Sequence, residues 1–354
     1  MTPDRNEGIA PRLLEWYDRH GRDLPWRRTR DPYRIWLSEV ILQQTRVAQG
    51  MEYYLRFTER WPRIEELAAA TEDEVLKLWQ GLGYYSRARN LHAAAKRVAT
   101  EFGGVFPKEY EAVRALPGVG DYTAAAICSI AYDTCCAVVD GNVYRVLARL
   151  FDIDAAIDTT AGRKAFAHLA QAEIDPAQPG RYNQAIMDFG ALQCTPAQPR
   201  CEECPLAERC LALAAGTVAE RPVKQGRQKV SDRWFNYLHI VCDDRTLLDR
   251  REGRDIWQGL YEFPLLETDG PADLRELTAL PRFRELLGDE AWHLTRSVEM
   301  PRHQLSHRTI HATIHRIETP ALTPEACKIA VETAALGDYA VPRLLERYLI
   351  KYQM

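Results

Sequence analysis

Up to about residue 230 the sequence keeps a helical periodicity with no strand alternation, and beyond that point the pattern turns to β-rich segments. Two differently built domains follow from that change. In the first part Ile35, Trp36, Val40, Ile41 and Val47 recur at helical spacing. Thr71 and Glu74 have capping-box spacing and open a helix expected to end near Gly81. Further helices are expected over 86–102, 122–131, 143–150, 162–171 and 181–192, with Gly103-Gly104 as a stop. Residues 216–230 lack an apolar face and are rich in Gly, Gln and cations, the composition of a linker. Beyond it, 234–241 and 309–317 read as strands, the latter placing Ile310, Ala312 and Ile314 on one side, while 273–277 and 341–350 read as helices. The expectation is a multi-domain chain: an all-α domain over 1–215, a linker over 216–230 and an α+β domain over 231–354.

A chain of 354 residues is long enough for two cores. Its formal charge of −4 speaks weakly against a nucleic-acid partner, but the excess is local. Residues 1–230 hold 30 basic and 30 acidic side chains, and residues 231–354 hold 16 and 20. Phosphate affinity depends on where the cations sit, so the total excludes nothing. The first residues carry Asp4, Arg5 and Glu7 without an apolar run, and no stretch approaches membrane-span length. The expected location is cytoplasmic, with no membrane partner. In that compartment the nine cysteines are free thiols or metal ligands rather than disulfides.

Cys194, Cys201, Cys204 and Cys210 follow C-x6-C-x2-C-x5-C directly after an expected helix. Four thiolates within seventeen residues make a soft, all-sulfur set, suited to zinc or to an iron–sulfur cluster. Arg200 and Arg209 flank the loop, and Arg221, Lys224, Arg227 and Lys229 follow it, a distribution that suits contact with a phosphate backbone. Cys128, Cys135, Cys136, Cys242 and Cys327 show no ligand spacing.

Two expected helices are joined by Leu116-Pro117-Gly118-Val119-Gly120, within a helix-hairpin-helix stretch over 113–131. Its glycines permit positive φ and close backbone approach, and the N–H groups opening the next helix form a phosphate site. Twenty residues after Gly120 lies Asp140, in V-D-G-N-V-Y-R, where helix N-capping is an aspartate's ordinary work. The two motifs together resemble the helix-hairpin-helix DNA glycosylase superfamily. The resemblance implies that Asp140 is the essential carboxylate and Gly118 and Gly120 are DNA contacts. It also implies that the loop over 194–210 holds a [4Fe–4S] cluster, as in endonuclease III-like members. Where bifunctional members carry a Schiff-base lysine, this chain has Tyr122, which points to water as the nucleophile.

Glu39 lies in W-L-S-E-V-I-L-Q-Q-T among bulky apolar residues. A buried carboxyl raises its pKa and stays protonated, as a general acid near a flipped base requires. The segment resembles the signature of the MutY family of adenine DNA glycosylases, as do L-P-W-R at 24–27 and G-L-G-Y-Y-S-R-A-R-N-L at 81–91. By that resemblance Glu39, Asp140, Tyr122 and Asn142 are the catalytic set, with Tyr122 and Asn142 orienting Asp140 or the intermediate. Trp26, Arg27 and Gln184 line an adenine pocket. Gln44, Thr45 and Leu82 contact an oxidised guanine, beside which Tyr84 wedges into the base stack.

In the second domain, W-Q-G-L-Y-E-F-P at 257–264 resembles the MutT-related (Nudix-like) domain of that family, without the acidic Nudix box. It is expected to bind a base and not to hydrolyse nucleotides. His303-Gln304-Leu305-Ser306-His307-Arg308 aligns with the family's 8-oxoguanine recognition loop, with Leu305 where an aromatic is common. Ser306 and His307 are the expected base contacts. The resemblance therefore implies a monomeric, monofunctional hydrolase that removes adenine opposite 8-oxoguanine or guanine in double-stranded DNA. An endonuclease III-like glycosylase/lyase and a non-catalytic iron–sulfur DNA-binding protein are the alternatives at this point.

Overall fold

The computed structural model describes residues 8–226, 230–288 and 291–352. Arg227 and Lys229 of the expected basic stretch, and Asp4, Arg5 and Glu7 near the start, lie outside them. Two compact units emerge, residues 1–69 with 90–226, and residues 70–89 with 227–354. No helix among the described residues is long and apolar enough to cross a membrane.

The first unit is all helical among its described residues. The expected helices are present as Asp121–Tyr132, Gly141–Leu150, Thr160–Glu173 and Pro179–Leu192, joined by Ala10–His20, Pro32–Leu42 and Val47–Arg60. The run expected through Val47 breaks after Leu42, because Gln44 adopts a left-handed φ of 56°. Pro179–Leu192 packs against Ala10–His20, Asp121–Tyr132 and Gly141–Leu150, and Asp121–Tyr132 packs in turn on Pro32–Leu42. A Cβ at Gly190 would stand 2.6 Å from Asn142 Cβ, so this crossing demands glycine. Phe166, Tyr182, Ala185 and Phe189 meet Val143, Val146, Leu147 and Leu13 in one buried cluster. Burying such side chains supplies the main stabilising term.

Residues 216–226 do not behave as a free linker. The Ile157 amide donates to Val223 O at 3.0 Å, and the Gln225 and Gly226 amides donate to the Asp158 carboxylate. These are backbone anchors, which hydrophobic periodicity cannot reveal.

The second unit is built on a seven-stranded sheet. Ser231–Cys242 lies centrally, parallel to Arg308–Glu318 with Phe235 opposite Ala312, and antiparallel to Arg245–Leu247 and Leu265–Thr268. Ile310, Ala312 and Ile314 are buried, as their alternation requires. Leu238, Ile240, Leu266 and Ile317 pack with Leu277, Phe283, Leu286 and Leu287 of two short helices. Residues 70–89, expected in the helical domain, group with this unit. Helix Glu72–Trp79 opens on the Thr71–Glu74 capping box. Tyr261 Oη donates to Asp73, Lys77 Nζ to Tyr339 O, and Gln80 Nε2 to Glu346. Those are polar contacts on the helix's solvated face, where periodicity carries no information about a partner.

Candidate active site

Asp31 caps helix Pro32–Leu42 by accepting from the Tyr33 amide at 3.0 Å. The helix buries Ile35, Trp36, Leu37, Val40 and Ile41 and leaves Glu39 half-buried. Glu39 lines a cavity of about 190 Å³ with Trp26, Arg27, Thr45, Tyr122, Asp140, Asn142, Gln184 and Met187. The sequence-derived catalytic set and adenine-pocket set are thus brought together. Of the expected guanine contacts, Thr45 lines the cavity, whereas Gln44 is not among the lining residues.

Leu116–Gly120 turns the chain between two helices. Gly118 has φ 74°, and a Cβ there would meet Asn90 Cβ at 2.7 Å, so both conformation and space select glycine. Gly120 differs from expectation. It caps helix Asp121–Tyr132 from extended backbone, with nothing near its Cβ position. This helix carries Tyr122 on its first turn. Tyr122 Oη donates to Glu39 Oε2 at 2.7 Å and also reaches Met187 Sδ at 3.3 Å. Tyr122 is thus hydrogen-bonded to Glu39, where a contact orienting Asp140 or the intermediate was expected.

Asp140 is at once the N-cap of Gly141–Leu150 and a wall of the cavity. Its Oδ1 accepts from the Asn142 and Val143 amides, each at 2.8 Å, and its Oδ2 accepts from Asn142 Nδ2 at 2.9 Å. Burial raises its pKa, opposed by those three hydrogen bonds and by Arg145. Glu39 is pushed up to about 7, first by burial and then by the Asp140 charge, against the Tyr122 hydrogen bond and Arg27. Burial and the two carboxylates hold the Tyr122 phenol well above its usual range, so it remains a neutral donor. The pair thus differs in kind. Glu39 accepts from the Tyr122 hydroxyl and keeps its proton to near neutrality, while Asp140 has three donors turned to its charge.

Sequence reasoning missed the group holding Arg27. Asp188 is fully buried and accepts from both nitrogens of the Arg27 fork, from Arg22 Nε at 2.9 Å, from Arg22 Nη2 and from the Arg22 amide at 2.9 Å. The hydrogen bonds from Arg27 and Arg22 outweigh burial and leave its pKa lowered. The available signal was an aspartate inside the apolar run Ala185–Leu192, since a buried charge needs a partner. Gln184, one turn earlier, accepts from Tyr17 Oη at 3.2 Å.

The four cysteines line a second, smaller cavity of about 30 Å³ together with Arg149. Arg149 donates to Cys194 Sγ at 3.4 Å and to Thr195 O at 2.7 Å. Arg145 donates to Cys194 O at 2.7 Å and to Asn142 Oδ1 at 2.9 Å, so the loop and Asp140 share one hydrogen-bonded chain. Burial pushes the Cys204 thiol up to about 11. Among the described residues no group of three His, Cys, Asp or Glu is arranged to hold a single metal ion, and the four cysteines come together as the lining of this cavity.

In the second unit Tyr84 has φ 49° and is 49% exposed, and its Oη lies 3.1 Å from Ser306 Oγ. Leu82 is buried near it in sequence. Ser306 and His307 are exposed, and His307 O accepts from the Ser231 amide at 3.1 Å.

Residues 37–171 match the HhH-GPD superfamily of base excision DNA repair proteins, and residues 236–351 match the NUDIX domain. The chain is 46% identical over 367 residues to the adenine DNA glycosylase of Homo sapiens, covering 88% of this chain and 67% of that protein. It is 48% identical over 233 residues to the adenine DNA glycosylase of Mus musculus, covering 63% of this chain but 45% of that one. Among solved structures, a thermostable thymine-DNA glycosylase superimposes with TM-score 0.55 at 31% identity, over 58% of this chain and 95% of that one.

Proposed function

The chain belongs to the adenine DNA glycosylase family, and from that premise we propose that it hydrolyses the N-glycosidic bond of adenine mispaired with 8-oxoguanine or guanine in double-stranded DNA. The observation that carries the reading is the Glu39–Tyr122 hydrogen bond in the cavity that Asp140 also lines.

The duplex is opened and adenine is flipped into the cavity, where Trp26, Arg27 and Gln184 surround it. Arg27, held by Asp188, stays charged and fixed. Glu39, protonated below about pH 7, gives its proton to the purine and makes it a leaving group. The neutral Tyr122 hydroxyl holds the carboxyl in place. The sugar left behind carries positive charge, and Asp140, its anion favoured by Asn142 and Val143, stabilises it. Water completes the hydrolysis. Among the described residues no lysine lines the cavity, so nothing there supports a Schiff-base lyase.

Cys194, Cys201, Cys204 and Cys210 would hold the [4Fe–4S] cluster. Their convergence on one cavity and the Arg149 donor beside Cys194 suit a negatively charged, thiolate-bound group. When bound, the cluster supplies a structural anchor for the loop, and the bond-breaking steps use only the chain's own side chains. Tyr84, Ser306 and His307 would meet the oxidised guanine and its neighbours.

The assay is single-turnover release of adenine from a duplex carrying A opposite 8-oxoguanine. Wild-type rates in Glu39→Gln or Asp140→Asn would overturn the residue roles.

A further inference from the structure

The second unit contains an ion-pair cluster that the proposed reaction does not use. Asp255 follows the short strand Asp249–Arg250 and accepts from three arginines: Arg233 Nη1 at 2.9 Å, Arg251 Nη2 at 2.9 Å and Arg308 Nη1 at 3.0 Å. Burial works to raise its pKa, but the Ile256 amide and the arginines outweigh it and leave the carboxyl lowered. Arg233 and Arg251 each have a second carboxylate, Glu267 at 2.5 Å and Glu262 at 2.6 Å. Among the described residues, Asp255 is the carboxylate that Arg308 meets.

Arg308 opens strand Arg308–Glu318 and directly follows Ser306 and His307. Between Gln304 and Arg308 the chain turns on the Leu305 amide, which donates to Arg308 O at 2.8 Å, and on Gln304 Nε2, which donates to Leu305 O at 2.9 Å. These bonds close the turn upon itself. The charged anchor to a different loop is Arg308 on Asp255, and Asp255 is itself immobilised by Arg233 from the central strand. Charge-assisted contacts of this kind hold geometry more firmly than neutral ones.

We propose that Asp255 is a positioning residue for the turn Gln304–Arg308, fixing through Arg308 where Ser306 and His307 present their hydrogen-bonding groups, and so setting how strongly the protein distinguishes 8-oxoguanine from guanine opposite adenine. This rests on the reading of Ser306 and His307 as base contacts.

The test compares single-turnover adenine release from A opposite 8-oxoguanine and from A opposite guanine, in the full chain. Asp255→Asn lowers the ratio of the two rates by about fivefold to tenfold, the order of one charge-assisted contact, with the rate opposite guanine unchanged. Arg308→Gln, which leaves the other two arginines paired, gives the same drop should Asp255→Asn fail to fold. The double variant drops no further, because both changes break the same Asp255–Arg308 contact, the one that reaches the turn. Asp255→Glu recovers part of the ratio, which a purely structural role would not require. Amide hydrogen exchange over residues 304–308 is faster in Asp255→Asn and Arg308→Gln. Equal losses on both duplexes, additive effects, or an unchanged ratio with unchanged exchange would overturn the proposal. Equal wild-type rates on the two duplexes would instead sink the base-contact reading, and the exchange measurement would then decide the positioning role alone.

Discussion

The cavity of the helical unit and the turn Gln304–Arg308 of the second unit use polar side chains in opposite ways. Glu39, Tyr122 and Asp140 line the cavity and Asp188 is fully buried beside Arg27, and each hydrogen bond changes which proton is held. In the turn, Ser306 and His307 are exposed, and their use depends on where the backbone puts them. Desolvation magnifies the first kind of contact and leaves the second near its value in water. Substitutions in the cavity should therefore act on rate by orders of magnitude, and substitutions around the turn on discrimination by small factors.

The largest effects are expected at the two carboxyls. Glu39→Gln and Asp140→Asn should each lower single-turnover adenine release by about 10³-fold or more, the range for removing a general acid or a preorganised charge. Both should still bind duplex, which a gel-shift or anisotropy titration would check. A residual rate within tenfold of wild type would erase the contrast between cavity and turn.

Asp188 should cost stability as well as rate. Asp188→Asn leaves Arg22 and Arg27 without their buried partner, a loss of about 3–5 kcal/mol. The sign with pH is fixed by the lowered pKa. The native contribution is present above the ordinary carboxylate range and is lost as pH falls through the still lower folded value. Denaturant midpoints should therefore separate wild type from variant at pH 7 and converge in acid, and a constant gap across pH would remove the ionic explanation.

Tyr122→Phe is the next step down, with about a tenfold loss of rate. Its sharper signature is the pH profile. If Glu39 acts in its protonated form, as proposed, the wild-type rate should fall as pH rises through about 7. The Tyr122 hydrogen bond lowers the Glu39 pKa, so removing it should carry that descending limb to higher pH. A limb moving to lower pH would mean that Glu39 works as the anion.

The same contrast explains what was legible in the sequence. Glu39 could be found because a carboxylate among Trp36, Val40 and Leu42 breaks an apolar pattern, and the four cysteines because their spacing is itself a donor set. The helices expected over 122–131, 143–150, 162–171 and 181–192 and the two long strands followed from periodicity, with boundaries within a few residues, whereas the run expected through Val47 breaks at Gln44. Asp188 offered a similar break but stayed unread, since its partners Arg22 and Arg27 are more than 160 residues away. The sequence places Tyr122 where a lysine would stand and in the catalytic set, but only geometry gives it Glu39 as partner. The grouping of residues 70–89 with the second unit depends on side chains such as Asp73, Lys77 and Gln80, whose polar faces fit solvent equally well.

The smallest effect should come from the bond between Tyr84 Oη and Ser306 Oγ, 3.1 Å apart at an exposed position. A neutral hydrogen bond open to water contributes about 0.5–1.5 kcal/mol at most, and less where water replaces either partner. Tyr84→Phe keeps the ring and removes only that bond, so adenine release opposite 8-oxoguanine should change by about threefold or less. Tyr84→Ala also removes the ring, and if the ring enters the base stack the loss should be about tenfold or more, given what base–aromatic stacking supplies. The ratio between these two variants separates the ring's work from the hydroxyl's. Equal losses would assign Tyr84 to holding Ser306 and move the wedge elsewhere, whereas a loss confined to Tyr84→Ala would make the hydroxyl contact a resting position that the duplex displaces.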